Sequence, residues 1–249
     1  MLQPRYLLHT GEGDRFGEAV HHIDVYAFDS LGIYRKMFRD KGAHLKNGYR
    51  MPIDLPEGKW TFLCLGGKVG DYEIGIFKTG IPQQFSPAVS PGITTLSDFR
   101  VKAYFEQKEN LEYSFGELFF GRLDSVEITA DNGGTGVVDL MKNTNKIEVR
   151  VKGIADGSSA RITSDNGRFN SENVTPADAG TIIYVPYYSA SQADDTRVFQ
   201  FDVLRLYTDG HLFLKLLNPD GTDVIPGFTK DLIECYYVLS RIPYSGGFG

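Results

Sequence analysis

The side chains best suited to metal binding or acid–base chemistry lie near the start of the chain, where His21, His22 and Asp24 occur close together. Successive residues of a strand point to opposite faces, so His22 and Asp24 would share a face and could hold a metal ion. A structural metal site needs about four ligands, and no other His or Cys cluster lies nearby in the sequence. We therefore interpret this stretch as a solvated strand entrance and predict neither a metal nor another cofactor.

Sequence motifs that activate a nucleophile or cradle a phosphate are missing. There is no G-x-S-x-G elbow and no H-E-x-x-H pair, and Gly66-Gly67-Lys68 lacks the Ser or Thr and the spacing of a phosphate loop. An enzyme would instead need a deep cleft around His22 or His211, with carboxylates converging on it. The sequence predicts a protein with no catalytic residues, and so not an enzyme.

Three tyrosines, Tyr184, Tyr187 and Tyr188, surround Pro186 and form the densest aromatic group in the chain. Exposed aromatic rings can stack against sugar rings, which makes these residues candidates for ligand binding. Packing in a hydrophobic core is the alternative role for such residues. Both interpretations stay open at this point.

The charge, the cysteine content and the hydropathy of the chain argue against several kinds of partner and site. A net charge of −6 and a pI near 5.4 argue against nucleic acid, because phosphate binding needs clustered Lys and Arg. Cys64 and Cys235 lie far apart, so we predict buried, inert thiols rather than a disulfide framework or a zinc site. No apolar run approaches the roughly 20 residues that span a bilayer, and no signal-like segment follows Met1. This indicates either a cytoplasmic protein or one whose targeting segment has been removed.

Alternation of apolar and polar residues is the main structural signal, and it predicts an all-β fold with few short helices. Trp60 to Leu65 is apolar throughout, which favours a central, buried strand. The stretch from Gly80 to Pro91 carries three prolines and is predicted to be a loop. The predicted strands are Ile23–Ala27, Trp60–Leu65, Phe99–Gln107, Asp124–Thr129, Lys146–Lys152, Thr181–Tyr187, Val198–Tyr207 and Leu212–Leu217.

Glycine-rich turns divide this strand pattern. Consecutive glycines at Gly133-Gly134 predict a linker, and we expect two domains, residues 1–133 and 134–249. In the second domain, the turn at 207–211 is expected to join two of the strands as a hairpin, and Asn218 to Gly221 to form another turn. Thr229 to Leu239 is predicted to be a short helix with Thr229 as its N-cap.

Several segments, in their order along the chain, resemble the FimB-like family of minor fimbrial subunits, lipoproteins of type V pili in Gram-negative anaerobes. The most distinctive is Lys142-Asn143-Thr144-Asn145, which leads into a strand with outward-facing charges. The resemblance covers most of the chain. Its segments are Arg5 to Thr10, Asp24 to Asp29, Leu55 to Trp60, Glu117 to Gly121 and Leu140 to Ile147.

The resemblance implies two transthyretin-like antiparallel β-sandwich domains in tandem, export to the cell surface, and a lipid anchor in the outer membrane on a cysteine preceding Met1. It implies other fimbrial subunits as partners, with glycans or host surface proteins as further candidates. The chain stops at Gly249, before the additional strand sequence typical of the family, so we expect an unpaired sheet edge that accepts a partner's strand. The alternative is a surface polysaccharide-binding module of the same fold.

Overall fold

A computed structural model describes residues 1–7, 13–78, 84–103, 115–131, 134–192, 194–228 and 231–233. Almost every regular element in these ranges is a strand, which confirms the all-β class. The other elements are a four-residue helix, α1 (Phe16–Ala19), and a 3-10 turn at Val69–Asp71. None of the described helices has the length and apolar character that crossing a bilayer requires.

The strands are β1 (Leu2–Tyr6), β2 (His22–Phe28), β3 (Tyr34–Lys41), β4 (Gly58–Gly67), β5 (Tyr72–Lys78), β6 (Gln84–Ser86), β7 (Phe99–Ala103), β8 (Leu118–Ile128), β9 (Gly136–Lys142), β10 (Thr144–Lys152), β11 (Ser159–Ser164), β12 (Arg168–Asn170), β13 (Ile182–Tyr184), β14 (Tyr188–Ser191), β15 (Thr196–Leu204) and β16 (Leu212–Leu217).

The described residues form two compact units. The first holds residues 1–103, 115–144 and 168–178, and the second holds 145–167 and the described residues from 179 onward. The expected division into domains at residues 133 and 134 stays a prediction. The strand that follows this position, β9, pairs with β1 and β8 and therefore belongs to the first unit.

The first unit contains a six-stranded sheet in the order β1-β9-β8-β4-β2-β3. β4 lies between β8 and β2, which confirms the central position predicted from its apolar sequence. Neighbouring strands are antiparallel except for β1 and β9, which run parallel. A parallel pair needs a long crossover, and here most of the first unit's sequence separates the two strands.

Strand β2 is buried on both of its faces. On one face, Ile23 and Val25 join a core that also includes Phe16 of α1. On the other face, Tyr26 and Phe28 make ring contacts with Phe99 of β7 at centroid distances of 5.4 and 6.0 Å. The sheet is therefore covered on both sides of β2, with Phe99 contributed by a second sheet.

That second sheet has four strands in the order β12-β7-β5-β6. β7 confirms the predicted strand up to Ala103, and residues 104–107 of that prediction lie outside the described residues. The prediction of a loop throughout Gly80 to Pro91 was wrong at Gln84–Ser86, which forms β6. β6 is a short edge strand ending just before Pro87, a position compatible with proline's missing N–H group.

The second unit contains two three-stranded sheets, β10-β15-β14 and β13-β11-β16. β10 confirms the predicted strand over Lys146–Lys152. The predicted hairpin between Val198–Tyr207 and Leu212–Leu217 is wrong, because β15 pairs with β14 whereas β16 pairs with β11. A turn is present, with the Gly210 N–H donating to the Tyr207 carbonyl, but it carries the chain from one sheet to the other.

Two shorter predictions in the second unit have mixed outcomes. The strand predicted over Thr181–Tyr187 ends at Tyr184, and a separate strand, β14, begins at Tyr188. The turn at Asn218 is confirmed by a hydrogen bond of 2.9 Å from the Gly221 N–H to its carbonyl. The helix predicted over Thr229–Leu239 lies outside the described residues except for 231–233.

Candidate functional site

The three candidate tyrosines do not form one surface. Tyr184 is 2% exposed, and its hydroxyl donates to Asn166 Oδ1 at 2.8 Å and accepts from the Leu204 N–H at 3.2 Å. Burial raises the pKa of this hydroxyl. Tyr187 is half-buried with Lys146 Nζ 5.0 Å from its ring centre, and Tyr188 is 49% exposed. Ring surface for a ligand is therefore offered by Tyr187 and Tyr188, and their binding role stays a prediction.

His22 and Asp24 share a face of β2, as their spacing predicts. His22 Nε2 lies 2.9 Å from Asp24 Oδ1, and Arg39 contacts both carboxylate oxygens of Asp24 at 2.7 and 2.6 Å. Asp24 has no exposed surface, so the interpretation of a solvated strand entrance was wrong for this residue. No group of three or more metal-binding side chains is found within the described ranges.

A cleft of about 750 Å³ opens beside His22, within the first unit. It lies where β2 begins, where β4 ends and where the chain enters β8. Its volume is within the range typical of small-molecule sites. The residues that line it are Ala19, His21, His22, Lys41, Gly42, Gly67, Lys68, Val69, Gly70, Asp71, Gly116 and Glu117.

Glycine allows the backbone segments of this cleft to approach closely. Gly67 has a φ of +91°, and a Cβ atom at this position would lie 2.3 Å from the Glu117 carbonyl oxygen. That carbonyl accepts a hydrogen bond of 2.9 Å from the Lys68 N–H. The end of β4 and the chain before β8 are thus held together by backbone contacts that a larger residue at position 67 would disturb.

The charged side chains of the cleft differ in how they are paired. The Asp71 carboxylate accepts a hydrogen bond of 2.7 Å from the Gly116 N–H, and Glu117 forms an ion pair with Lys142. Lys41 and Lys68 are exposed and form no ion pair with any residue that the structure describes. The cleft therefore presents ammonium groups beside carboxylates that are held in place.

The cleft is lined by the imidazole of His22 and by the carboxylates of Asp71 and Glu117, the groups that an enzyme at this position would need. No Ser, Thr, Cys or Tyr occurs among the described residues that line the cleft, so a hydroxyl or thiol nucleophile is missing there. Cys64, as predicted, is buried, and burial raises the pKa of its thiol. Cys235 lies outside the described residues. The imidazole of His211, the other position at which an enzyme would have needed a cleft, contacts Asp231 Oδ2 at 2.9 Å.

A second candidate surface is the edge of β10 in the second unit. β10 is an end strand of the sheet β10-β15-β14 and spans nine residues. Ile147, Val149 and Val151 are half-buried along one face, and Lys146 and Arg150 are exposed on the other. This alternation is the predicted one, but the apolar face is incompletely covered.

Sequence reasoning missed most of the cleft. It singled out His21 and His22, and it tested Gly67 and Lys68 against the phosphate-loop pattern alone. Lys41, Asp71 and Glu117 are far apart along the chain; Lys41 and Asp71 belong to no motif, and Glu117 was used only as the start of a segment in the family resemblance. No local signal could have found them, because the pairing of β2, β4 and β8 is what brings them together.

The sequence and the fold were both compared with those of known proteins. The family model for the fimbrillin-A associated anchor proteins Mfa1 and Mfa2 matches residues 1–245. The fimbrial anchor protein Mfa2 from Porphyromonas gingivalis has a TM-score of 0.75 and 19% identity, over 97% of this chain and 84% of that chain. No curated protein matches the sequence.

Two further solved structures share the fold. A candidate adhesin from Bacteroides ovatus has a TM-score of 0.75 and 22% identity, over 97% of this chain and 78% of that one. A candidate polysaccharide-binding protein from Bacteroides thetaiotaomicron has a TM-score of 0.72 and 21% identity, over 90% of this chain and 77% of that one. At these identities the likeness shows a common fold.

Proposed function

Since this chain belongs to the family of fimbrillin-A associated anchor proteins Mfa1 and Mfa2, we propose that it is a non-catalytic minor or anchoring subunit that docks another fimbrial subunit by β-strand addition. Membership of the family gives the protein a fimbrial role and a location at the cell surface. The edge of β10 is the surface that accepts the partner's strand.

The length and packing of β10 support this choice of edge. A sheet edge carries unpaired N–H and C=O groups that can hydrogen-bond an added strand. β10 offers nine residues, whereas the end strands β14 and β13 offer four and three. The edge of β16 already has bridges to Asp223 and Asp231. The half-buried side chains of Ile147, Val149 and Val151 would become covered when a partner packs there.

Strand addition along β10 is tested with a purified major fimbrial subunit from the same organism. The variant V149D places a carboxylate on the apolar face of β10, and we expect it to weaken binding at least about tenfold, or about 1.4 kcal/mol. E148Q changes an exposed residue on the opposite face and serves as the control. Unchanged binding by V149D, with an unchanged unfolding midpoint, would contradict the choice of edge.

Hydrogen–deuterium exchange gives an independent measurement of the same joint. An added strand bonds to the outward N–H groups of the edge strand, which in an antiparallel pair belong to every second residue. We expect slower exchange at alternate amides of β10 on adding the fimbrial subunit. Slower exchange at another strand, with no change at β10, would show that the partner binds at that other strand.

The anchoring role also includes attachment to the outer membrane through a lipid. One acyl chain binds a membrane only marginally, so the proposed anchor carries several acyl chains. The test is recovery of the native protein in the outer-membrane fraction and its labelling with a radioactive fatty acid. A protein that stays unlabelled and fractionates without detergent would contradict the lipid anchor but not the fimbrial role.

Polysaccharide binding is the second candidate function, favoured by the exposed ring of Tyr188 and by the name of the Bacteroides thetaiotaomicron structure. Tyr187, half-buried next to Tyr188, offers part of its ring to the same ligand. A reproducible signal on a polysaccharide array that is lost in Y187A would support this function. Recruitment of a major fimbrial subunit, without any signal on the array, would favour docking alone.

A further inference from the structure

We propose that the cleft beside His22 binds a saccharide unit that carries a carboxylate, as in an acidic polysaccharide. This site lies in the first unit, and the edge of β10 lies in the second, so the proposal does not depend on strand addition. Tyr187 and Tyr188 do not line this cleft.

The two lysines of the cleft are the reason for proposing a ligand that carries a carboxylate. Lys41 and Lys68 both line the cleft and have no ion-pair partner among the described residues. Lys36 pairs with Asp54 and Lys102 with Glu73, whereas Lys46 and Lys59, like the two cleft lysines, have no ion pair among the described residues. The chain as a whole carries a net charge of −6, so two unpaired ammonium groups in one cleft stand out against an acidic background. A ligand carboxylate supplies the opposite charge.

The two carboxylates of the cleft are the reason for proposing that the ligand also carries hydroxyl groups. A carboxylate has about four acceptor positions, and Asp71 and Glu117 are oriented by Gly116 and Lys142. Hydroxyl groups of a sugar can donate to these oxygens. A sugar unit offers several hydroxyl donors spaced away from its single carboxylate, whereas a phosphate or a peptide with closely spaced negative charges brings fewer donors and a denser negative charge to these two carboxylates.

The shape of the cleft suits a sugar ring. Gly67, Gly70 and Gly116 line it with backbone rather than side chain, and a Cβ atom at Gly70 would meet nothing within 4 Å. A volume of about 750 Å³ admits a ligand larger than a single ion. Ala19 is half-buried and adds a small apolar surface to the lining, against which the carbon atoms of a ring can pack, whereas Val69 is 3% exposed.

The test uses the full chain and a panel of oligosaccharides bearing glucuronate, galacturonate or sialic acid, each also prepared as its uncharged methyl ester. We expect at least one acidic member to bind, by calorimetry, at least about tenfold more tightly than its ester. K41A and K68A should each weaken that binding, and the double variant should abolish the preference for the acid. Added salt should weaken the binding of the acid more than that of the ester.

Matched variants separate this site from the other surfaces. K36A and K46A each remove an exposed lysine that does not line the cleft, and both should leave binding unchanged. The proposal is overturned if no acidic saccharide binds, if acid and ester bind equally, or if the double lysine variant binds normally. Tighter binding of inorganic phosphate than of every saccharide would overturn it as well.

Discussion

Asp24 is a carboxylate with no exposed surface in the middle of a predominantly apolar strand. Its two oxygens are occupied by Arg39, whose side chain is 52% exposed, and one of them also by His22. A buried charge without a partner is strongly unfavourable. Arg39 is therefore essential to the packing of β2 against β3, although its own side chain is half in water.

Removing the guanidinium in R39A should destabilise the protein. Breaking a buried ion pair costs about 3 kcal/mol or more, and the partial exposure of Arg39 places the expected loss at the lower end. The measurement is the urea dependence of the circular dichroism signal. R35A, which removes the exposed partner of Asp29, is the control and should cost less than about 1 kcal/mol. Equal losses in both variants would show that burial of Asp24 does not matter.

Tyr184 supports the interior of the second unit through its hydroxyl. Y184F keeps the ring but leaves the buried Leu204 N–H and Asn166 Oδ1 without that contact. The cost of leaving buried polar groups unpaired is about 1–3 kcal/mol. Thermal unfolding should show the loss, and Y188F, on an exposed ring, should leave the midpoint unchanged. A neutral Y184F would mean that water or a shifted side chain replaces the hydroxyl.

At the scale of elements, the end of β4 is defined by a glycine that no other residue can replace without strain. Gly67 combines a positive φ with a Cβ position 2.3 Å from the Glu117 carbonyl, whereas Gly70, three residues later, has open space. The two glycines line the same cleft, but only Gly67 lacks space for a larger side chain.

G67A should therefore destabilise the first unit by more than about 1 kcal/mol, because both the backbone conformation and the contact with the Glu117 carbonyl just before β8 are disturbed. G70A should be close to neutral. Unfolding midpoints of the two variants, measured side by side, give the comparison. A tolerated G67A would show that the chain before Leu118 can move away without loss of stability.

At the scale of the whole molecule, each unit contains an aspartate whose pKa is lowered by folding. In the first, the Tyr49 hydroxyl and the His44 ring hydrogen-bond Asp40 and lower its pKa. In the second, burial by itself would raise the pKa of Asp231, but contacts with His211, the Ile233 N–H and the Leu212 N–H outweigh burial and lower it.

The sign of the pH dependence follows from these shifts. A carboxyl group with a lower pKa in the folded state binds fewer protons when folded, so its contribution is present above the ordinary pKa of 3.8 and is lost as pH falls through the lowered value. We expect the free energy of unfolding to fall as the pH drops below about 4 and to go on falling through the lowered pKa values of the two aspartates. D231N should reduce this fall, and higher stability at acid pH in the parent protein would contradict the assignment.

The all-β class and the positions of β2, β4 and β10 were predictable, because alternation of side chains between faces is a property of consecutive residues. The sharing of a face by His22 and Asp24 follows from the same local geometry. The sequence alone also indicated the family, through motifs spread along most of the chain.

Strand pairing, in contrast, was decided by tertiary structure. β15 and β16 are joined by a turn that looks like a hairpin, yet each pairs in a different sheet, and β1 pairs in parallel with β9 from far along the chain. The cleft residues Lys41, Lys68 and Glu117 come together for the same reason. Such contacts depend on which buried faces pack best across the whole fold. Local sequence patterns do not determine this packing, because the strands that pair are far apart along the chain.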